Sequence, residues 1–364
     1  MMAIVLGTRP EIIKCAPIIH EATRLSIPFA IIHTGQHYTP ELDELFFREL
    51  GLPEPVVNLH VGSDTVADRQ TLVMKQRLLP IFEEKKPSVV LVQGDTNSVF
   101  AGALSANRLG IPVAHLEAGL RSDDWTMPEE ANRVLTGLMS QVHFCPTEYQ
   151  KERLKHEGIV DGVYVVGNPI VDAVTRYAGA SRAHPLLEEG GRVQKPYILL
   201  TLHRPSNVDD PDRLENLLSC LATLGEQQQA TIIFPVHPRT AARLHAADLW
   251  ERYSTHPAFH FLPPVGYLDL LQFQKAAQLI LTDSGGIQEE ANILRVPCVT
   301  LRENTERPET IAAGGNVLFA GTDSAALAAL ASDLVSRPRR WDCPFGCGDT
   351  AQKVISILSE KNLL

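Results

Sequence analysis

The chain has 364 residues, of which 44% are hydrophobic and 21% are charged. This length suggests about two domains of ordinary globular composition and excludes a disordered or fibrous chain. The net charge of −10 argues against a general nucleic-acid binder, which usually carries a basic surface. No apolar run approaches the ~18 residues of a membrane-spanning helix. The first residues lead straight into a strand, so we expect no signal peptide.

Short apolar runs alternate with longer amphipathic stretches along the chain. Those in the first half predict strands at 2–7, 28–34, 88–93, 111–116, 141–145 and 163–167. Those in the second half predict strands at 197–202, 231–236, 259–263, 278–282, 297–301 and 316–319. Near-continuous apolar strands alternating with helices are typical of doubly wound parallel sheets covered on both faces.

The two sets of strands predict two α/β domains. A helical stretch begins at Asn168-Pro169, and Gly190-Gly191 precede the next strand, so we place residues 1–168 in the first domain and 169–349 in the second. Residues 350–364 look helical, and the pattern allows them to pack on either domain. Ligands of such sheets bind at the carboxyl ends of the strands, so we expect one shared site in a cleft between the domains.

Several well-known motifs are missing from the sequence. It contains no G-x-G-x-x-G, no P-loop, no H-E-x-x-H and no paired C-x-x-C, which lowers the expectation of a dehydrogenase, an NTPase or a zinc enzyme. The six cysteines are mostly scattered, which is typical of reduced structural thiols. We therefore expect no metal ion.

Polar residues follow the strands of the first half. The turn Gly7–Glu11 opens a helix that holds Lys14, and its backbone N–H groups with Arg9 and Lys14 could bind an anion or form an ordinary βα turn. Asp95 follows the strand at 88–93 and is either a helix cap or a catalytic carboxylate. Glu117 directly follows the strand at 111–116, where a cap is a weaker explanation.

A third carboxylate comes from the helix that opens at Met127-Pro128. Glu129 and Glu130 lie in its first turn, where the helix dipole favours acidic residues. With Asp95 and Glu117, Glu129 could place three carboxylates around one cleft. Crowded carboxylates raise one another's pKa and can divide into acid and base.

The second half carries the sharpest local signal, Asp283-Ser284-Gly285-Gly286, which leads from a strand into a helix. Its glycines would let a phosphate approach backbone amides at the positive end of the helix dipole, while Glu290 one turn further could accept from ribose hydroxyls. Arg307 could reach the same phosphates. His203 and His237 end two strands, as structural histidines or as donors to a leaving phosphoryl oxygen.

Eight motifs in this order resemble those of the non-hydrolysing UDP-N-acetylglucosamine 2-epimerase family: GTRPE, GDTNS, HLEAGLRS, MPEEANR, HR, PVH, TDSGGIQEE and TERPE. The resemblance implies two Rossmann-like domains of the glycosyltransferase-B type, with the C-terminal helix 350–364 joined to the first. It implies a cytoplasmic homodimer that interconverts UDP-GlcNAc and UDP-ManNAc for polysaccharide biosynthesis. It implies a UDP-sugar as the only small-molecule partner, and no cofactor, nucleic acid or membrane.

The resemblance also assigns roles to residues. The family mechanism eliminates UDP to give a 2-acetamidoglucal and then adds it back, which needs acid/base groups on both faces of the sugar. The implied catalytic residues are Asp95, Glu117, Glu129, Arg133 and His203, and the implied substrate-binding residues are Arg9, Lys14, Ser284, Gly285, Gly286, Glu290 and Arg307.

The resemblance also implies a possible second UDP-GlcNAc, bound as an activator, as relatives in bacteria often have. The candidate residues for this site are Gln36, His37 and Arg69, and the alternative is that they are solvated residues of a loop and a helix. Four alternatives to the main function stay open at this point. They are epimerisation of another UDP-2-acetamido sugar, hydrolysis to free ManNAc and UDP, glycosyl transfer on the same fold, and binding of a UDP-sugar without turnover.

Overall fold

The computed structural model describes residues 1–36, 40–62, 67–180, 184–187 and 196–364. The chain divides into two compact units. Unit 1 comprises Met1–Thr175 and Phe345–Leu364, and unit 2 comprises Arg176–Pro344. The division lies a few residues from the predicted breaks at 168/169 and 349/350. Gly190 and Gly191, on which the first predicted break partly rested, lie outside the described residues.

Unit 1 contains a seven-stranded sheet with order β3-β2-β1-β4-β5-β6-β7, all parallel. The order reverses between β1 and β4, which makes the carboxyl ends of these two strands the expected ligand site of the sheet. In chain order its elements are β1 (Met2–Leu6), α1 (Arg9–Arg24), β2 (Phe29–His33), α2 (Pro40–Glu49), β3 (Val57–Asn58), α3 (Ala67–Lys85), β4 (Val89–Gln93), α4 (Asn97–Arg108), β5 (Val113–Leu116), α5 (Pro128–Met139), β6 (Val142–Cys145), α6 (Glu148–His156), β7 (Val163–Val165) and α7 (Pro169–Ala180).

Unit 2 contains a six-stranded parallel sheet with order β10-β9-β8-β11-β12-β13. Its order reverses between β8 and β11, so the same rule applies to their carboxyl ends. After the 3₁₀ turn Pro185–Leu187, its elements are β8 (Tyr197–Thr201), α8 (Pro205–Val208), α9 (Pro211–Gln227), β9 (Thr231–Pro235), α10 (Pro238–Ala246), α11 (Trp250–Ser254), β10 (Phe259–Leu262), α12 (Tyr267–Ala276), β11 (Leu279–Thr282), α13 (Gly285–Leu294), β12 (Cys298–Thr300), α14 (Pro308–Ala312), β13 (Asn316–Leu318) and α15 (Ser324–Ser336).

The last helix, α16 (Thr350–Glu360), belongs to unit 1 and packs against α1. Its apolar face, which includes Val354, Ile355 and Leu358, is buried. Lys361 lies with its ammonium group 5.4 Å from the centre of the Tyr164 ring. The sequence left the packing partner of this segment open, and α1 is that partner.

Both sheets are covered on their two faces, as the apolar runs predicted. In β8, Ile198 and Leu200 pack into one core cluster, while Tyr197 and Leu199 pack into another. This alternation follows from the two-residue period of a strand. In unit 1 every residue of β1 is buried, and Ala3 and Val5 pack in a core cluster that includes residues of α3 and α4.

All twelve predicted strands are present, with ends that differ by at most two residues. The sequence missed β3, which has two residues, Val57 and Asn58, and lies at the edge of its sheet. No apolar run marks so short an edge strand. All six cysteines are free thiols. None of the described helices is both long and apolar enough to span a bilayer.

Candidate active site

A side chain of α1 accepts hydrogen bonds from the turn that follows β1. Glu11, the third residue of α1, accepts hydrogen bonds from the N–H groups of Gly7 at 2.6 Å and Thr8 at 3.0 Å. Its other oxygen accepts from the hydroxyl of Thr96, which lies in the loop after β4. The sequence left open whether these N–H groups bind an anion or form an ordinary βα turn, and in the structure Glu11 accepts from those of Gly7 and Thr8. Burial raises the pKa of Glu11 to about 7.

Gly7 is required by a close approach. A Cβ atom there would lie 1.9 Å from Thr34 Oγ1 and 2.4 Å from Ser98 Oγ, distances that only glycine avoids. Arg9, predicted to bind substrate, lies with its guanidinium 5.7 Å from the centre of the Phe46 ring. The turn is therefore packed tightly between β2 and α4, and Arg9 contributes the cationic side chain beside it.

Glu117 lies directly after β5 and has a left-handed backbone, with φ of 61°. A non-glycine residue in this region is uncommon and often marks a functional position. Its side chain is 4% exposed. The carboxylate accepts from Lys14 Nζ at 2.6 Å, Asn168 Nδ2 at 3.0 Å and Gln93 Nε2. The sequence predicted Lys14 beside substrate phosphates. In the structure the ammonium group of Lys14 forms an ion pair with Glu117.

Asp95 lies in the loop after β4 and forms an ion pair with Arg133, with Oδ2 and Nη2 2.6 Å apart. Arg133 also bonds Glu130 at 2.8 Å. Glu130 is buried and accepts from the N–H and hydroxyl groups of Ser122. Burial alone would raise the pKa of Glu130, but these bonds and Arg133 lower it. Glu130 therefore holds Arg133, and Arg133 holds Asp95.

Glu129 differs from its neighbour Glu130. It lies half-buried in the first turn of α5, and within the described ranges its carboxylate has no hydrogen-bond or ion-pair partner. Asn132 of the same helix donates to the carbonyl of Asp95 at 3.0 Å, which ties the start of α5 to the loop after β4. Glu117 follows β5, the strand paired with β4. The three predicted carboxylates thus come from adjoining segments of unit 1.

The helix α13 begins beside the switch point of unit 2. Ser284 occupies its N-cap position without a capping side-chain bond. The first turn contains no acidic residue. A Cβ atom at Gly286 would meet no heavy atom of the described residues within 4 Å, and one at Gly285 would meet only Glu306 Oε2, at 3.9 Å. Neither glycine has a left-handed backbone. Packing therefore does not require these glycines, and they leave open space over the helix N-terminus, where anions bind.

Asp283 organises the loop that follows β8. Its carboxylate is fully buried and accepts from the N–H groups of His203 at 3.1 Å and Arg204 at 2.9 Å. Asn207 Nδ2 donates to it at 3.2 Å. His203 Nε2 lies 3.7 Å from Asp283 Oδ1. Burial lowers the pKa of His203, against the opposing effect of Asp283, so we expect a neutral imidazole that can accept or donate one proton.

Arg307 and Glu290, both predicted to bind substrate, have protein partners in unit 2. Arg307 Nε lies 2.6 Å from Glu289 Oε1. Glu290 is buried and accepts from Gln274 Nε2 at 2.5 Å. Nearby, Arg302 donates twice to Glu306. Burial alone would raise the pKa of Glu306, but these bonds lower it to about 2.

The candidates for an activator site are only partly described. Gln36 Oε1 accepts from the N–H group of Ser98 at 3.0 Å and from its hydroxyl at 2.6 Å, at the start of α4. Arg69 lies exposed on α3. His37 lies outside the described residues. The structure does not bring these three residues together as a described site.

Sequence reasoning missed four buried polar residues that organise the site: Glu11, Gln93, Asn168 and Asp283. Asp283 and Glu11 stand inside the motifs TDSGGIQEE and GTRPE, for which the predicted roles fell on neighbouring residues. Asn168 was noted only as the start of a helix. Gln93, Asn168 and Asp283 act through partners distant in sequence, such as Asn168 with Glu117, and no local pattern encodes such a pairing. Glu11 also bonds locally, and the Thr-x-x-Glu spacing of a capping box was the signal that could have found it.

Two doubly wound parallel sheets, each with polar side chains at its switch point, define an α/β protein of the ligand-binding Rossmann-like class. The family model described as UDP-N-acetylglucosamine 2-epimerase matches residues 20–359. The chain therefore belongs to the UDP-N-acetylglucosamine 2-epimerase family, and its two units are Rossmann-like domains of the glycosyltransferase-B type, as the motifs predicted.

Individual relatives agree along nearly the whole chain. UDP-N-acetylglucosamine 2-epimerase of Methanocaldococcus jannaschii is 45% identical over 362 residues, covering 98% of both chains. The crystal structure of UDP-GlcNAc 2-epimerase from the same organism, in complex with UDP-GlcNAc and UDP, matches with a TM-score of 0.89 over 99% of both chains. UDP-2,3-diacetamido-2,3-dideoxy-D-glucuronate 2-epimerase of Pseudomonas aeruginosa is 35% identical, covering 98% of both chains.

Proposed function

We propose that this protein reversibly epimerises UDP-GlcNAc at C2 to give UDP-ManNAc, without hydrolysing the sugar–phosphate bond. The observation that carries the proposal is the set of acidic residues on adjoining segments of unit 1. Asp95 follows β4 at the switch point, Glu117 follows the paired strand β5, and Glu129 lies on α5, whose Asn132 bonds to the carbonyl of Asp95. Family membership supports the substrate. The open N-terminus of α13 in unit 2 supports a ligand that carries phosphate.

The chemistry explains why such a set of residues is needed. The C2 proton of the sugar is not adjacent to a carbonyl group, so direct removal is difficult. Loss of UDP from C1 with loss of the C2 proton gives a neutral 2-acetamidoglucal. UDP then adds back to C1 while a proton returns to the opposite face of C2. A base and an acid are therefore required on the two faces of the ring.

The carboxylates have different environments, which suits different tasks. Glu117 is buried beside Lys14 at 2.6 Å, so the lysine favours its ionised form, as a base requires. Asp95 is 27% exposed at its side chain and paired with Arg133. Glu129 is half-buried. We assign the acid/base work to these three groups, with Arg133 orienting Asp95.

The diphosphate is assigned to unit 2. The N–H groups of Gly285 and Gly286 would donate to phosphate oxygens, with Ser284 and His203 as side-chain donors. Arg307, held by Glu289, would add positive charge, and Glu290 would accept from ribose hydroxyls. Arg9 of unit 1 is assigned the same role as Arg307, that of a positive charge for the diphosphate. Donors aimed at the departing diphosphate stabilise the charge that develops on it.

The test is incubation of UDP-GlcNAc with the protein in D₂O, followed by proton NMR. We expect deuterium at C2 and accumulation of intact UDP-ManNAc. Free ManNAc with UDP would instead identify a hydrolysing enzyme. Absence of exchange in the presence of UDP binding would refute the proposal and leave a binding protein or a transferase that requires an acceptor.

A second candidate is epimerisation of a UDP-2,3-diacetamido uronic acid, which the Pseudomonas aeruginosa relative favours. The same NMR assay with that substrate separates the two, because the correct substrate should exchange with the higher kcat/KM. A preference for the uronic acid would replace the main proposal while leaving the acid/base assignment intact.

We further propose a cytoplasmic homodimer that supplies UDP-ManNAc for polysaccharide biosynthesis. Leu72 on α3, with Leu135 and Leu138 on α5, are exposed at 43% or more of their surface and are suitable for contact between two copies. Light scattering after gel filtration should give twice the chain mass, and Leu138→Glu should lower it. Activation by a second UDP-GlcNAc stays a prediction, which sigmoidal kinetics would support.

A further inference from the structure

Asn168 lies fully buried at the end of unit 1's sheet, directly before α7. Its backbone N–H donates to the carbonyl of Phe345 at 2.8 Å. Its side-chain Oδ1 accepts from the N–H of Ile170 at 3.1 Å, and its Nδ2 donates to Glu117 Oε1 at 3.0 Å. One side chain thus serves both a helix start and the carboxylate that we assign to acid/base work.

These contacts fix which end of the amide faces Glu117. The first turn of a helix presents N–H donors, so the side chain that caps it must offer its oxygen. Oδ1 of Asn168 meets this need at Ile170. The NH₂ group is therefore the end directed to Glu117, and a carboxylate can only accept from it.

We propose that Asn168 is a positioning residue for Glu117, one that donates a fixed hydrogen bond to its carboxylate and thereby holds it ionised and aimed for proton transfer at C2. The inference rests on the function proposed above. Gln93 Nε2 donates to the other oxygen, Oε2, so the two amides hold opposite oxygens of one carboxylate. Donors to an ionised carboxylate favour that form.

The backbone of Glu117 gives a reason for such support. The left-handed conformation with φ of 61° is unfavourable for a residue with a Cβ atom and persists only when the surroundings enforce it. Hydrogen bonds from Lys14, Gln93 and Asn168 to the carboxylate supply that enforcement. Glu117 is therefore held from both its main chain and its side chain.

The chemistry of asparagine allows the two roles to be separated. Asn168→Ser keeps an oxygen that can cap α7 but removes the donor to Glu117. Asn168→Asp keeps the cap and places a second carboxylate against Glu117. Loss of the donor should raise the pKa of Glu117 in both variants, and repulsion between like charges should raise it further in Asn168→Asp.

The test measures C2 exchange in D₂O across pH, with thermal melting of each variant. For Asn168→Ser we expect kcat to fall about 10- to 100-fold, in line with loss of a hydrogen bond to a charged group, with KM unchanged. The acidic limb of the kcat profile should move to higher pH by about one unit. For Asn168→Asp both effects should be larger. Asn362→Asp, at an exposed position of unit 1, is the matched control and should keep wild-type exchange.

The outcomes separate the inference from the function beneath it. If the wild-type protein shows no exchange, the proposed function fails. If the wild type exchanges and Asn168→Ser matches it in kcat and in pH profile, Asn168 is only a helix cap and this inference is overturned. If Asn168→Asp does not fold, the serine variant decides alone. A fall in kcat without a shift of the acidic limb also counts against the inference.

Discussion

Replacing Gly286 by alanine should make the protein more stable and a weaker binder of UDP. Its Cβ atom would meet no described heavy atom within 4 Å, and its backbone is already helical. Alanine in place of a helical glycine adds about 0.5–1 kcal/mol of stability. For a unit of this size, that raises Tm by about 1–4 °C.

The affinity should change in the opposite direction. The added methyl group occupies the space over the N-terminus of α13 in which we place the diphosphate. A hydrogen bond to a charged group contributes about 1.5–3 kcal/mol, so displacing one phosphate contact should weaken Kd for UDP about 10- to 150-fold. Isothermal titration calorimetry measures this Kd, and differential scanning fluorimetry measures Tm without UDP.

Gly179→Ala is the matched control. Gly179 lies in α7, is exposed, and its added Cβ would likewise meet no described atom within 4 Å. It should gain similar stability and keep wild-type affinity for UDP. Wild-type affinity in Gly286→Ala would refute the assignment of the open space to phosphate. A fall in its Tm would refute the conclusion that packing does not require this glycine.

Three further predictions test the remaining parts of the site. Asp95→Asn, Glu117→Gln and Glu129→Gln should each lose C2 exchange by about 10²-fold or more while keeping UDP binding, and wild-type exchange in any of them would remove that residue from the mechanism. Asp283→Ala leaves buried N–H donors without an acceptor, so the free energy of unfolding should fall by about 1–3 kcal/mol, whereas a melt like that of the wild type would show that the loop after β8 holds without it. Burial raises the pKa of Glu11 from 4.5 to about 7, so its contribution to stability is fully present below about pH 4.5 and is lost as pH rises through about 7, by up to about 3 kcal/mol. Glu11→Gln should therefore flatten the fall in Tm between about pH 5 and 8, and an unchanged slope would contradict this reasoning.

The sequence predicts the scaffold well because parallel strands leave a strong local signal. Each run of buried apolar residues, such as 88–93, became a strand with nearly the predicted ends. The edge strand β3 has no such run and was missed. The strand-end positions of Asp95, Glu117 and His203 followed from the same pattern, because polar residues after apolar strands meet at one edge of a sheet.

The sequence does not predict the pairing of polar groups within that edge. The Thr-x-x-Glu spacing of Thr8 and Glu11 is a local signal of a capping box. Nothing local, however, indicates that Thr96 donates to Glu11 or that Lys14 bonds to Glu117, 103 residues away. These pairings depend on the relative positions of segments that only the folded chain brings together. The motifs therefore indicate the important residues reliably, but they do not predict the contacts that each residue makes.

Unit 1 is built from two separate stretches of the chain, and this affects how the protein folds while it is being translated. Residues 345–364 complete unit 1, yet they leave the ribosome only after all of unit 2 has been made. Until then, the apolar surface of α1 that α16 covers stays uncovered. We expect unit 2 to reach its native form first during translation, and nascent chains arrested before residue 345 to depend on chaperones that shield the exposed helix.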